Sequence, residues 1–270
     1  WVHPRSEPPI MHFDATGTVI EAFGEDMFVM AHGFCRDHDG NFWAGDSGPF
    51  RDDPRTADRG YQFFKFSPNG ELLLTLGQAG VSRAGRDTFI APTACVVAPN
   101  GDILIADGHF PRPSTSQQGG DRIVRYTAEG EFVDAWGQHG SGPGEFDGPH
   151  ALAFDSLGRL FVADRSNKRV QIFDSDMHFV DEWRHFGRPS GVAILADDSL
   201  FVADSESSKE IFGELQNPGW KNGVRFGGAS DGSLRGFIDG TDPEGLAVDQ
   251  LGNVWAGLTS TPILQKWVKR

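Results

Sequence analysis

The stretch HALAFDSLGRLFVAD, residues 150–164, holds two short apolar runs around a turn, and its pattern recurs along the chain. Four other segments fall into the same frame: HGFCRDHDGNFWAGD from His32, TACVVAPNGDILIAD from Thr93, SGVAILADDSLFVAD from Ser190 and EGLAVDQLGNVWAGL from Glu244. Each predicts a hairpin whose tight turn uses Gly or Asp to accept unusual backbone angles. A second pair of strand-like runs follows most of them, as at residues 61–66 with 72–76 and 121–126 with 132–136. Four strands per repeat predict a propeller blade. The repeats start at positions 32, 93, 150, 190 and 244, so the strands are regular and the loops between them vary in length. Variable loops on a fixed scaffold are where function concentrates.

Residues 10–13 and 18–23 match the outer strand pair of one more blade, with Trp1-Val2 as the tail of a truncated strand. The expected fold is therefore an all-β, six-bladed propeller over residues 1–270, a single domain whose first blade is incomplete at the N-terminus. A five-bladed ring that closes with one N-terminal strand is the alternative.

Composition narrows the partners. The chain has 24 Lys and Arg against 38 Asp and Glu, a net charge of −14, and no basic run that would hold a phosphate backbone or anionic lipid. Nucleic acid and membrane are not expected partners, and no apolar run approaches the length of a membrane span. The only two cysteines, Cys35 and Cys95, lie in apolar strand patterns and read as buried free thiols. That leaves a soluble protein, cytoplasmic or periplasmic or secreted.

The residues at the heads of the first strands read His32, Thr93, His150, Ser190 and Glu244. In a propeller these point into the central channel. On six blades His32, His150 and Glu244 fall on alternate blades, about 120° apart. Two imidazoles and a carboxylate with room for a further ligand make the donor set of a catalytic zinc site. Thr93 and Ser190 are too short to compete. The uneven spacing that five blades would give these residues ties the metal reading to the blade count.

The end of the second strand returns beside the head of the first. Residues after the repeated Asp46, Asp107, Asp164 and Asp204 therefore border the same face: Ser47, Gly108 with His109, Arg165 and Ser205. Arg165 suits a bidentate grip on a carboxylate, and His109 suits proton transfer near neutral pH. The four aspartates read as caps on backbone groups rather than ligands.

The run from Gly144 through His150, followed by VADRSNKRVQIF at residues 162–173, resembles NHL repeats, and the order of the loops resembles the peptidyl-α-hydroxyglycine α-amidating lyases. The resemblance covers almost the whole chain. It implies a six-bladed propeller that binds zinc through three axial histidines and splits a carbinolamide into an amide and glyoxylate. The family's first two zinc histidines match His32 in MFVMAHGF and His150 in GPHALAF, and the third falls on Glu244 in DPEGLAV. One substrate-binding arginine matches Arg165, and the other maps loosely to Arg5. The family's catalytic tyrosine is replaced by His109, since Tyr61 and Tyr126 sit in outer strand patterns. Its calcium-binding carboxylate is replaced by Gly245, so calcium is not expected.

These residues point to a metal-dependent lyase acting on a small, anionic substrate, a carbinolamide or related 2-hydroxy acid derivative. Zinc or another divalent transition metal would be held by His32, His150 and Glu244, while His109, Arg165 and Arg5 would serve the substrate. The competing classes are a non-catalytic NHL scaffold that binds protein and a lactonase-like metal-dependent hydrolase, which would favour acid and amide ligands over histidines.

Overall fold

The structure of the protein is a computed structural model, which describes residues 1–49, 56–109, 120–211, 213–258, 261 and 263–269. The two backbone bonds of the repeated turn recur each time, and an aspartate at its first position adds a side-chain bond in three of the five. Gly40 N–H donates to the Asp37 carbonyl at 3.0 Å, Asp37 N–H to the Asn41 carbonyl at 2.9 Å, and the Asp37 carboxylate accepts from Asn41 N–H at 2.8 Å. The fourth turn residue is left-handed in every repeat: Gly40, Gly101, Gly158 and Gly252 have φ between 75° and 92°, and Asp198 has φ 59°. Asp tolerates that region better than most side chains, which is why ADDS can stand where the other repeats carry glycine.

The chain falls into two compact units, Trp1–Gly140 and Ser141–Arg270. In the first, β1 (Ile10–Phe13) and β2 (Val19–Phe23) pair antiparallel, with Val2 bridged to Met11 at their side. A four-stranded sheet follows in chain order: β3 (Ala31–Arg36), β4 (Phe42–Asp46), β5 (Gln62–Phe66) and β6 (Leu72–Leu76). A second comprises β7 (Pro92–Val97), β8 (Ile103–Asp107), β9 (Arg122–Tyr126) and β10 (Phe132–Trp136).

The second unit opens with a sheet of β11 (Pro149–Phe154), β12 (Leu160–Asp164), β13 (Arg169–Phe173) and β14 (Phe179–Trp183). The next contains β15 (Gly191–Ile194) and β16 (Ser199–Asp204). The small hairpin β17 (Glu210–Ile211) and β18 (Glu214–Leu215) then intervenes before β19 (Gly223–Gly228) and β20 (Leu234–Asp239) complete that sheet. The last sheet has three strands, β21 (Pro243–Val248), β22 (Val254–Leu258) and β23 (Leu264–Trp267). No α-helix occurs among the described residues.

The architecture is thus an all-β propeller with five blades, not the six expected from sequence. Residues 10–23 have the alternation of an outer strand pair, but only the single Val2 bridge lies beside them, so they remain a two-stranded sheet. The even 120° spacing of His32, His150 and Glu244 falls with the sixth blade.

Burial follows position in the blade. Every residue of β4, β8, β12 and β13 is buried, and the runs FWAGD, ILIAD and LFVAD are accordingly free of polar side chains up to their closing aspartate. In the first unit Trp43, Phe63, Phe89, Ile103, Ile105 and Val124 form one core cluster. Phe161, Ile172, Phe186, Leu200 and Val202 form another in the second unit.

Cys35 and Cys95 are not free thiols. They form a disulfide between β3 and β7, the first strands of successive blades, with the Cα atoms 5.8 Å apart. The pairing depends on which strands of neighbouring blades lie side by side, and a frame built within single repeats does not contain that information.

Candidate functional site

The head of the first strand is a β-bulge in four of the five blades. Pro92 pairs with Asp107 and Ala94 with Ala106, which leaves Thr93 as an extra residue. Pro149 pairs with Asp164 and Ala151 with Ala163, leaving His150; Pro243 pairs with Leu258 and Gly245 with Gly257, leaving Glu244. A like shift between Ala31 and Phe34 falls on His32 and Gly33. A bulge re-aims its extra side chain away from the alternation of the strand, which explains how an imidazole can head a buried strand without entering the core.

The repeated aspartates hold the loop that leads into the first strand of four blades. The Asp46 carboxylate accepts from Val29 N–H at 2.8 Å and Met30 N–H at 2.9 Å, and Asp107 accepts from Ile90 and Ala91 at 2.8 and 2.9 Å. Asp164 accepts from Asp147 N–H at 2.8 Å and Asp204 from Arg188 N–H at 3.0 Å. They are capping groups as expected, but the loops they fix precede the first strand as well as following the second. Gly187 is part of the same device: with φ 87°, a Cβ there would lie 2.2 Å from Asp204 Oδ2. In the last blade Leu258 stands where the aspartate would be.

In the first unit His32 is buried, and its Nδ1–H donates to the Thr93 carbonyl at 2.6 Å. That bond selects the tautomer whose lone pair is on Nε2. His109 is also buried and packs edge-on against His32, with ring centroids 4.3 Å apart. Arg5 reaches the same strand head through Nε–H to the Ala31 carbonyl at 3.5 Å. It lines a cleft of about 600 Å³ with Pro9, Phe28, Met30 and Ala31.

In the second unit His150 is built like His32, its Nδ1–H donating to the Ser190 carbonyl at 2.7 Å. Its Nε2 lies 3.3 Å from Glu244 Oε1, and Arg165 Nη1 lies 3.8 Å from the same oxygen. Arg165 is only 3% exposed. With Nδ1 donating to Ser190, Nε2 and the carboxylate oxygen are both acceptors at close range, and such a pair is stable only around a shared cation, a proton or a metal. Nitrogen and oxygen donors of this kind suit a divalent transition metal. Thr93 and Ser190 contribute in a different way. Their backbone carbonyls orient the histidines, while their hydroxyls meet the Ala106 carbonyl at 3.1 Å and Ser205 Oγ at 2.7 Å.

The structure brings the expected residues together in two groups: His32, His109 and Arg5 in the first unit, and His150, Glu244 and Arg165 in the second. Two residues were missed. Glu206 lies 3.8 Å from Arg165 Nη1 through Oε2, and the same oxygen accepts from Arg188 Nη1. Glu206 occupies the position two beyond the repeated aspartate, the one filled by His109 in the second blade, so the signal was present in the frame. Arg188 precedes its strand head by two residues, where the other repeats place Met30, Ala91, Gly148 and Asp242.

With this geometry the protein is an NHL-repeat β-propeller: a family model of the NHL repeat matches residues 146–173, on β11 to β13. It resembles the peptidyl-α-hydroxyglycine α-amidating lyases. It is 33% identical over 225 residues to the peptidylglycine alpha-amidating monooxygenase of Rattus norvegicus, an alignment covering 79% of this chain and 21% of that protein. To the peptidyl-alpha-hydroxyglycine alpha-amidating lyase 1 of Drosophila melanogaster it is 34% identical over 183 residues, covering 63% of this chain and 30% of the other. The chain thus spans between about a fifth and a third of the length of these relatives. Among solved structures, a gluconolactonase from Xanthomonas campestris superposes with a TM-score of 0.65 at 19% identity, covering 95% of this chain and 77% of that one, a likeness of fold. No helix among the described residues is long and apolar enough to cross a membrane.

Proposed function

We propose that this chain is a metal-dependent lyase that cleaves a small anionic carbinolamide or related 2-hydroxy acid derivative. The observation that carries the reading is the approach of His150 Nε2 to Glu244 Oε1 at 3.3 Å with the His150 tautomer fixed by Ser190. His32, His150 and Glu244 would hold zinc or another divalent transition metal, a His2Glu set in place of the three histidines of the lyases. When bound, the metal would supply positive charge that lowers the pKa of a nearby substrate hydroxyl.

The remaining work belongs to the chain's own side chains. Arg165 holds the substrate carboxylate, and Arg5, beside the first strand head, lines the cleft for the rest of the substrate. His109 takes the hydroxyl proton. The C–N bond breaks as the C=O bond forms, its electron pair goes to the amide nitrogen, and that nitrogen takes up a proton, giving amide and aldehyde acid. His109 does the proton transfer that the family's tyrosine performs.

The test starts with protein purified without an affinity tag. About one zinc or other transition metal per chain, and release of glyoxylate from an N-acyl-α-hydroxyglycine that chelation abolishes and metal restores, is the expected result. Metal without carbinolamide turnover, but with lactone hydrolysis, would move the chain to the hydrolase class. A folded protein that takes up no transition metal overturns the enzyme reading in favour of a protein-binding scaffold.

A further inference from the structure

We propose that Arg188 and Glu206 complete the carboxylate-binding end of this site. In this assignment, which rests on the lyase reading above, Arg188 joins Arg165 in holding the substrate carboxylate. Glu206 is an internal carboxylate that competes for the same two guanidiniums and sets how tightly an acid binds.

Glu206 Oε2 is shared. It accepts from Arg188 Nη1 and lies 3.8 Å from Arg165 Nη1, and Arg165 in turn lies 3.8 Å from Glu244 Oε1. A continuous charged chain therefore runs within the second unit from the His150 and Glu244 pair through Arg165 to Glu206 and Arg188. Both guanidiniums are deeply buried, Arg165 at 3% exposure and Arg188 at 7%. Placing two like charges side by side out of water is costly without anions to match them. Burial, and then Arg165, bring the Arg188 pKa down to about 10 against the opposing pull of Glu206, Asp204 and Asp147.

The three groups differ in freedom to move. Arg188 is anchored by its own backbone N–H on Asp204, at the clamp that fixes every strand head. Asp204 is another anion close by, but its carboxylate already serves Arg225 Nη1 at 3.3 Å and the Ser207 hydroxyl at 2.6 Å, besides Arg188 N–H. Asp147 also favours the charged form of Arg188, less than Glu206 and Asp204 do. Glu206 has the most exposed side chain of the three at the shared contact, 17% against 3% and 9% for the arginines. A Glu side chain with a path to solvent can turn away, whereas the guanidiniums stay. An incoming carboxylate would then take the geometry that Glu206 holds in its absence. The chemical class that fits is a carboxylic acid whose reacting carbon is next to the carboxyl group, because Arg165 links this anion site to Glu244.

This arrangement predicts opposite signs for two substitutions. The probes are N-acetylglycine, which is the carbinolamide skeleton without its reactive hydroxyl, and N-acetylglycinamide, which lacks the negative charge, each titrated calorimetrically into the metal-loaded protein. Arg188→Met should weaken N-acetylglycine by about tenfold or more, the loss of one charge-assisted contact. Glu206→Gln should tighten it several-fold by removing the competitor. Neither should move N-acetylglycinamide. Thermal melts and metal content of both variants guard against misfolding, and Glu206→Gln, which keeps shape and removes only charge, decides the matter if Arg188→Met is unstable. Equal effects on both probes, an unchanged N-acetylglycine affinity in either variant, or weaker binding in Glu206→Gln would overturn the proposal, as would a wild-type protein that binds neither probe. If the wild type binds N-acetylglycine with this pattern yet turns over no carbinolamide, the anion site stands and the lyase reading falls.

Discussion

His150 Nε2 and Glu244 Oε1 face each other at 3.3 Å, and each arrives there from a bulge at the head of its strand. Removing the imidazole should remove the metal while sparing the fold. In His150→Ala the Ser190 carbonyl loses its donor, a cost of about 1 to 3 kcal/mol. Elemental analysis should show most of the metal gone, with a cooperative melt only a few degrees lower. Wild-type metal content in this variant would remove His150 from the ligand set.

Asp164 tests the clamp. Its carboxylate accepts from Asp147 N–H and from Arg169 Nε at 2.7 Å, Asn167 Nδ2 at 2.9 Å and Gln171 Nε2 at 3.0 Å. Arg169 is 1% exposed. Asp164→Ala removes one of the two carboxylates on that buried guanidinium, leaving Glu182 Oε2 at 2.5 Å, and should cost about 1 to 3 kcal/mol, read as a lower urea midpoint. Because the same carboxylate fixes the loop before His150, metal affinity should fall with it. A stability change within experimental error would show that the repeated aspartates are not structural.

Most of this architecture was legible in the repeats, because a hairpin with a left-handed turn residue leaves a local mark: Gly40 and Asp198 sit where the frame put them. The strand-head column was legible for the same reason, as was the position of His109 beside it. What failed depended on relations between repeats. Residues 10–23 have the alternation of a blade's outer pair, and alternation cannot report that among the described residues only the Val2 bridge lies beside them. Cys35 and Cys95 are 60 residues apart, and only the neighbouring positions of β3 and β7 bring them into bonding range. Arg188 was missed because nothing repeats at its position, and Glu206 because its column was read only for a histidine.

The disulfide closes a loop across two blades. Its chief effect is to narrow the unfolded ensemble, and for a separation of 60 residues the loss on removal should be about 2 to 4 kcal/mol. The Cys35→Ala, Cys95→Ala double variant should melt several degrees lower and, unlike wild type, be insensitive to reductant. It joins the strand carrying His32 to the strand whose Thr93 carbonyl orients His32, so the variant should also bind metal more weakly. If reductant leaves the wild-type melt unmoved, the two sulfurs are not bonded in solution.

His3 gives the protein an acid limit. Its ring lies 2.7 Å from the Pro9 carbonyl and 3.2 Å from the Gly45 carbonyl, yet burial outweighs both and pushes its pKa down to about 4. The unfolded chain takes up this proton near the ordinary pKa of 6.5 and the folded chain does not. The His3 contribution is therefore complete above that value and is lost as the pH falls toward 4. Unfolding free energies from urea titrations at about pH 7 and about pH 5 should differ by roughly 2 kcal/mol from this group, and His3→Phe should flatten the difference. An equal pH response in both proteins would show that His3 is not the group responsible.

Arg165 and His109 should fail in different ways. Arg165 is placed to hold an anion beside Glu244, so Arg165→Ala should cost about 2 to 4 kcal/mol of carboxylate binding and act mainly on KM. His109, edge-on to His32, is placed to move a proton, so His109→Ala should act mainly on kcat, by roughly 10² to 10⁴. The ring contact complicates the second variant. Losing His109 removes a neighbour of the proposed metal ligand His32, and a protein that merely lost its metal would mimic a lost base. Metal content must be measured on the same samples, and His109→Gln, which keeps a polar side chain without the imidazole's acid–base chemistry, should show the same kcat loss with metal retained. If His109→Ala keeps its metal and full kcat, the proton leaves the substrate by another route and the replacement of the family's tyrosine lies elsewhere in the chain.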